Sequence, residues 1–548
     1  MGARIQDGPS DLALAWEGLV GTLLAADAND AHVPLHTIVQ WARTEEQRQH
    51  ALVAGAHGAT VRAMHVHVGD PVVLATACQA LVAMAQSGAT RKQVACDAGA
   101  LRAIVAALGA HPDHRQLVED ALVALDALLG SADGRREREA LDAGVPHVLV
   151  ATMRHHVERA GVQTLGCRAV RALASTADLP AASAAVGALA GAGVFETVVG
   201  AMRAHAGDVR VQEEGCRALG ALTAHSEPRR AAALGAGAHA AVLAALELPE
   251  TARGAGSVAL AAPALDALYQ LAKGADTCRL ALLDGGALAA LTRTLDAHGG
   301  ASARVTAHGL ALLGALCPVA ERPGAPHVGS AAVELCVRAL AQHEHDTAVH
   351  EAALSTLLRL ACSSRAKRQA AARPAVVGAV GESMARHAQH AQLQTWGSAF
   401  AHAVAIAGNG ARLALVERRT LHALVAAMSA HRSHVDLQQF GLQALREVAH
   451  GPHETALVEA GAARAAVRAL GAHVGSARCA QHALALLRAL AADAEAGRAA
   501  VAAEGSLPQL LKEVRKRHVE SAALCELVDE LVSVLAREHA SASGRVSG

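Results

Sequence analysis

The sequence predicts an all-α chain, an α-solenoid of about eleven stacked three-helix repeats, and three observations carry that reading. The first is composition. Of 548 residues, 52% are hydrophobic but only 1% aromatic, so the core must be built from Ala, Leu and Val, and Ala and Leu are strong helix formers. The second is a period. An acid or small residue, then Ala-Gly or Gly-Gly, then an apolar run recurs at Gly55, Gly99, Gly144, Gly193, Gly237 and Gly286, which stand 44, 45, 49, 44 and 49 residues apart. The third is a motif repeating in phase: Val162-Gln163-Thr164-Leu165-Gly166-Cys167-Arg168-Ala169-Val170 matches Val211-Gln212-Glu213-Glu214-Gly215-Cys216-Arg217-Ala218-Leu219. No single unit of this kind buries its apolar faces alone, so the units must stack on a continuous core.

In chain order, residues 1–33 read as an N-terminal helical cap, with a helix near Asp11–Ala26 started by Ser10 as N-cap. Residues 34–538 read as the repeat array. The first helix of each period ends at Ala-Gly, where Gly supplies the left-handed conformation that stops a helix. The second carries apolar residues at helical spacing, as in Leu101, Ile104, Val105 and Leu108. The third is the long Val-Gln-x-x-Gly-Cys helix, whose Gly is expected to admit a neighbouring backbone. Further Gly copies stand at Gly461 and Gly505, with degenerate ones near Gly329, Val376 and Arg419. The third-helix motif continues in weaker form from Val305, Val349, Leu393 and Leu437. Pro249–Ser257 and Pro318–Gly329 read as inserted surface loops, and residues 539–548 as a polar, disordered tail.

Several function classes are disfavoured. A net charge of −1 and a pI near 7.2 are not the footprint of a nucleic-acid binder. Ten Cys without a CxxC pair, and no signal peptide, suit free thiols in a reducing cytoplasm, with the nucleus as the other compartment. The most apolar stretch, Ala181–Phe195, is too short for a membrane span and is bounded by Pro180 and Glu196. Gly2 is followed by Gln6 where myristoylation wants Ser or Thr. Gly235/Gly237/Ala240 and Gly254/Gly256/Ala259 have dinucleotide-site spacing but no preceding strand. Nucleophile elbows, phosphate loops and zinc-protease motifs are missing. The expectation is no catalytic residue, no cofactor, no metal and no small-molecule substrate. The basic run Lys512–His518 reads as the solvated end of a helix, with a localisation signal or phosphate patch as the weaker reading.

The 32 His gather at the ends of second helices, among them His67, His111, His156, His205, His298, His343, His387, His431 and His473. A His there is expected to donate to free carbonyls and to favour the helix dipole. The pairs His111/His114, His387/His390 and His431/His434 have the spacing of metal ligands, but each offers two donors where a site needs three or four.

The segment Ala98-Gly99-Ala100-Leu101 through Leu108, followed by Val-Gln-x-x-Gly-Cys-x-Ala-Leu, resembles the second and third helices of the armadillo repeat. The variety whose second helix ends Ala-Met-x-x-His, as in Ala201–His205, is similar to arrays of microbial eukaryotes. The resemblance implies a right-handed α-solenoid whose third helices line a concave groove for protein partners. In importin-like members those helices carry a Trp and, four residues on, an Asn. Here the first position holds Gln79, Val123, Arg168, Arg217, Asp266, Ala311, Ser355, Ala399, Gln443 and Ala485, and the second Ala83, Ala127, Ala172, Ala221, Gln270, Ala315, Arg359, Ala403, Glu447 and Ala489. With neither Trp nor Asn present, nuclear-import cargo reading is disfavoured, and the scarcity of Lys disfavours a catenin-like basic groove. The resemblance leaves Arg168, Arg171, Arg217, Asp266, Gln270, Arg359, Gln443 and Glu447 as candidate groove residues. Arg168 and Arg217 form a candidate positive patch, which Glu213 and Glu214 would offset. The expected function is a non-enzymatic scaffold or adaptor holding one or more proteins as extended peptide or helix. The alternative is a structural subunit of a ciliary, cytoskeletal or ribonucleoprotein assembly.

Overall fold

The computed structural model describes residues 9–27, 30–86, 88–130, 132–175, 180–248, 257–317, 329–493 and 495–545. The two inserted loops read from the sequence lie almost wholly outside these residues, as do residues 546–548. Among the described residues there are helices and no strand, as Ala- and Leu-rich composition dictates. The protein is an all-α solenoid. The chain divides into two compact units, Met1–Ala290 and Leu291–Gly548, with the division falling in the sixth repeat.

In the first unit a helix pair, Pro9–Ala25 and His32–Trp41, forms the cap. Trp16 is fully buried and meets Trp41 edge-on at 5.6 Å. The cap therefore reaches past residue 33, because His32–Trp41 stacks as a third helix on Pro71–Ala85. The first helix starts at Pro9, so Ser10 lies inside its first turn rather than capping it. Third helices then pack in succession: Pro71–Ala85, Arg115–Leu128, Ala160–Ala174, Val209–Thr223 and Ser257–Ala272. In the second unit the succession is Ala303–Leu316, Thr347–Ser363, Ala391–Ala405, Val435–Ala449, Ala477–Asp493 and Ala522–Arg545. The last helix continues past residue 538, since Ala540 and Ala542 sustain it and no Gly interrupts before Gly544.

Local sequence sets each helix end. Gly55, Gly99, Gly144, Gly193, Gly237, Gly286 and Gly461 all have φ between 72° and 90°, the left-handed turn that separates first from second helix. Arg419 adopts the same turn at φ 56°, so the degenerate copy keeps the conformation without the Gly. Gly505 does not adopt it. Several third helices start on side-chain caps: the Asp70 carboxylate accepts from the backbone N–H of Val72 and Val73 at 2.9 and 3.2 Å, and Asp208 does the same for Arg210 and Val211. Third helices end on an Arg from the next first helix. Arg91 donates to the Gln86 carbonyl at 2.8 Å, Arg230 to Ala224 at 2.9 Å, Arg368 to Ala361 at 2.8 Å and Arg412 to Ala405 at 3.2 Å. Those carbonyls have no partner within their own helix, which gives the abundant Arg a structural task.

The recurring Met-x-x-His and Gln-x-x-Gly residues interlock. Gln163 lies buried in its third helix and its Nε2 donates to the carbonyls of Met153 and His156, 2.8 and 2.7 Å away, at the end of the second helix. Gln212, Gln394 and Gln438 bind the corresponding Met and His carbonyls at 2.7–3.1 Å. The Gly one turn later makes room for the Met side chain, not for a neighbouring backbone as its size suggested. A Cβ on Gly166 would stand 2.5 Å from Met153 Cγ, and Gly215, Gly397 and Gly441 face Met202, Met384 and Met428 in the same way.

The His positions complete the set. His111 Nε2 bonds the Val68 carbonyl at 2.8 Å, His156 the Pro112 carbonyl at 2.7 Å and His205 the Val157 carbonyl at 2.7 Å. In the second unit His343, His431, His473 and His518 reach Gly299, Ala388, Arg432 and Val474 at 2.6–2.8 Å. Each acceptor directly follows the corresponding His of the preceding repeat. These rings thus tie neighbouring repeats together instead of capping their own helix, and a carbonyl acceptor requires the hydrogen on Nε2. The second His of two of the pairs with metal-like spacing is an N-cap: His114 Nδ1 accepts from Leu117 N at 3.2 Å and His390 Nδ1 from Leu393 N at 3.4 Å.

Candidate binding groove

Successive third helices present one half-buried side chain each along a common face. In the first unit these are Gln79, Val123, Arg168, Arg217 and Asp266. Three of the predicted groove residues meet there, and acids accompany them. Arg168 donates to Asp126 on the preceding third helix. Arg217 pairs with Glu213 at 2.6 Å and Glu214 at 2.7 Å, and Arg171 faces Glu214 at 3.5 Å across the helix boundary. Three guanidinium groups therefore meet three carboxylates. The candidate positive patch is balanced in charge, because Asp126 adds beside Arg168 the third acid that Glu213 and Glu214 alone do not supply.

The other candidates are placed separately. Asp266 accepts from Gln270 at 3.0 Å on the next third helix, and Lys273 donates to Gln270 at 3.1 Å while lying 4.7 Å from the centre of the Tyr269 ring. Arg359 is exposed on Thr347–Ser363 in the second unit. Gln443 and Glu447 share Val435–Ala449, where Gln443 contacts His482 at 2.8 Å and Glu447 accepts from Arg446 at 2.9 Å. Burial opposes ionisation of Glu447, but the hydrogen bond and charge of Arg446 prevail and hold its carboxyl below the usual range. Burial pushes the neighbouring His402 and His482 below the ordinary imidazole range, which favours their neutral forms.

A hollow in the first unit's groove involves residues outside the predicted set. Val39, Ala42 and Arg43 from the cap, Gln79, Val82, Ala83 and Gln86 from the first repeat, and Asp120 and Val123 from the second line a hollow of about 420 Å³. Asp120 accepts from Gln79 at 2.8 Å and from Gln116 at 3.0 Å. A ladder of two positions per third helix skips Asp120, which stands one turn before Val123, and a cap boundary at 33 separates Arg43 from its neighbours.

Elsewhere, burial raises the thiols of Cys96 and Cys167 to about 12, so these cysteines pack as small hydrophobes. Among the described residues no group of three or more His, Cys, Asp or Glu is arranged to hold a metal ion. No single described helix is long and apolar enough to cross a membrane, and the apolar stretch near 181–195 is bent by 66° between Ser183–Gly191 and Val194–Ala204.

No protein-family model matches the chain, and no curated protein does. Solved structures do. The crystal structure of an engineered protein is similar over 86% of this chain and 98% of its own, at 20% identity and a TM-score of 0.58. A chain from a study of the phosphorylation switch controlling the cadherin–β-catenin interaction is similar over 96% of each chain, at 13% identity and a TM-score of 0.55. A designed armadillo repeat protein in complex with the peptide (KR)4 is similar over 47% of this chain and 99% of its own, at 19% identity and a TM-score of 0.39. At these identities the likeness establishes the fold alone, an armadillo-like repeat solenoid.

Proposed function

We propose that this chain is a non-enzymatic, protein-binding scaffold or adaptor that holds an extended peptide or a helix of its partner on the third-helix face of the first unit, in the cytoplasm. The observation that carries the reading is the row of half-buried side chains on successive third helices, open at the hollow beside Asp120. A row of such positions gives affinity through many small contacts, each repeat contributing one or two. The likeness in fold to a chain from a cadherin–β-catenin study agrees with partner binding on this architecture. The charge-balanced Arg168/Arg171/Arg217 patch favours a partner of mixed charge over a strongly acidic one.

The experiment is affinity purification from native lysate with mass spectrometry, run on the wild type and on Arg168→Glu/Arg217→Glu. The double variant places a carboxylate against Asp126 and against Glu213 and Glu214. A defined partner retained by the wild type and lost by a variant of unchanged circular dichroism supports the reading. Identical partner sets overturn it.

A further inference from the structure

The hollow between the cap and the second repeat is a place in the first unit's groove where charge is left open. Every Arg predicted for this face is matched by an acid. Arg43 and Asp120 are not: the Arg43 guanidinium donates to the Gln40 carboxamide, the Asp120 carboxylate accepts from two Gln carboxamides, and neither is in an ion pair among the described residues. They line the same hollow, Arg43 on its cap side and Asp120 on its second-repeat side, with Val39, Val82, Ala83 and Val123 forming the floor. A cavity of about 420 Å³ is of the size that accepts a ligand's side chains.

We propose that this hollow selects one kind of partner segment: an extended peptide with an aliphatic side chain seated on the Val39/Val82/Val123 floor, an acidic residue towards Arg43 and a basic residue towards Asp120. The proposal rests on the groove reading above and gives it a sequence and a direction. Arg43 follows the cap's third helix, and Asp120 lies on the third helix two layers further on. Two helix spacings of about 8–10 Å each and about 3.3 Å per extended residue place the two charges about five residues apart, with the acid over the cap. Arg43 fits a carboxylate as a planar fork. Asp120, held in place by Gln79 and Gln116, is an oriented acceptor for an ammonium or guanidinium group.

The test is selection of a random phage-displayed peptide library on the full chain, followed by fluorescence anisotropy of the enriched peptides. The expected set carries an acid and a base about five residues apart around an aliphatic residue. Asp120→Asn and Arg43→Gln should each weaken those peptides about tenfold. A separate selection on Asp120→Lys should replace the base by an acid at that position. Enriched peptides that lack the charge pair, or that are the same for wild type and Asp120→Lys, overturn the proposal. Peptides weakened by Arg168→Glu/Arg217→Glu but indifferent to Arg43 and Asp120 overturn it while leaving the groove reading standing. An absence of enriched peptides on every version overturns this proposal and the extended-peptide reading together. Asp120→Asn and Arg43→Gln change half-buried and exposed side chains respectively, and unchanged circular dichroism confirms that each loss belongs to the site.

Discussion

A methyl group has no place at Gly166. Its Cβ would stand 2.5 Å from Cγ and 2.7 Å from Sδ of the fully buried Met153, too close for the tip of the side chain alone to yield. Gly166→Ala is expected to lower stability by about 1–3 kcal/mol through overpacking. A double-mutant cycle with Met153→Ala in urea denaturation should show strong coupling, and additive effects would separate the two residues. Buried histidines give a pH dependence at the same scale. Burial, with a smaller contribution from Arg91, pushes His57 from an ordinary 6.5 to about 4. Burial and the His387 ring 4.4 Å away do the same for His350. Both folded values lie below the unfolded one, so below pH 6.5 the unfolded chain takes up protons that the folded chain does not. Stability is therefore full above about pH 6.5 and falls as the pH drops towards 4. His350 occupies the position held elsewhere by Gln163, Gln212, Gln394 and Gln438, with its Nε2 3.2 Å from the His343 carbonyl. His350→Gln should accordingly fold and show a smaller loss of urea midpoint between pH 7 and pH 5; an unchanged loss would assign the acid sensitivity elsewhere.

At the scale of the element, the stops and ties of the helices are the quantities to perturb. Arg419 holds a left-handed turn that seven counterparts entrust to Gly. Arg419→Gly removes a Cβ penalty and should raise stability by about 0.5–1 kcal/mol, measured as a shift in the thermal midpoint; a drop would mean that the Arg side chain matters more than its backbone. The His ties act between repeats. His431→Ala deletes the 2.7 Å bond to the Ala388 carbonyl and should cost about 0.5–1.5 kcal/mol. His431→Gln, if its carboxamide reaches the same carbonyl, should recover part of that loss in the same denaturation assay.

At the scale of the molecule, third helices within each unit pack on the third helices beside them and on helices of their own repeat, whereas most first helices are short, as in Ala89–Asp97 and Arg365–Ala371. Hydrogen exchange read by mass spectrometry should be slowest in segments such as Ala160–Ala174 and Val435–Ala449 and fastest in first helices such as Ala89–Asp97 and Arg365–Ala371. Uniform exchange across the three helices of a repeat would contradict this layering. Because repeats within a unit contact their neighbours, the stability of each unit is a sum of repeat and interface contributions, and a ligand bridging the cap and the second repeat should slow exchange in the helices it spans.

The sequence by itself determined the helical class, the period, the left-handed Gly stops and the positions of the third helices. Each of these follows from local propensity or from repetition over about 44 residues. It also marked Arg168, Arg171 and Arg217 as neighbours, because equivalent positions in adjacent repeats must meet. Tertiary structure decided what the motifs are for. Gln163 and Gly166 read as a polar residue and a gap in a helix until the Met153 side chain and the second-helix carbonyls are placed beside them. His111 reads as a cap of its own helix end until it is placed against the preceding repeat, and His114 against the start of the next helix. Asp126 became the partner of Arg168, and Arg43 came to share a hollow with Asp120, only through stacking across repeats. Local sequence sets where a helix stops; which side chains 40 or more residues apart in the chain come to touch is fixed by the packing of one repeat on the next.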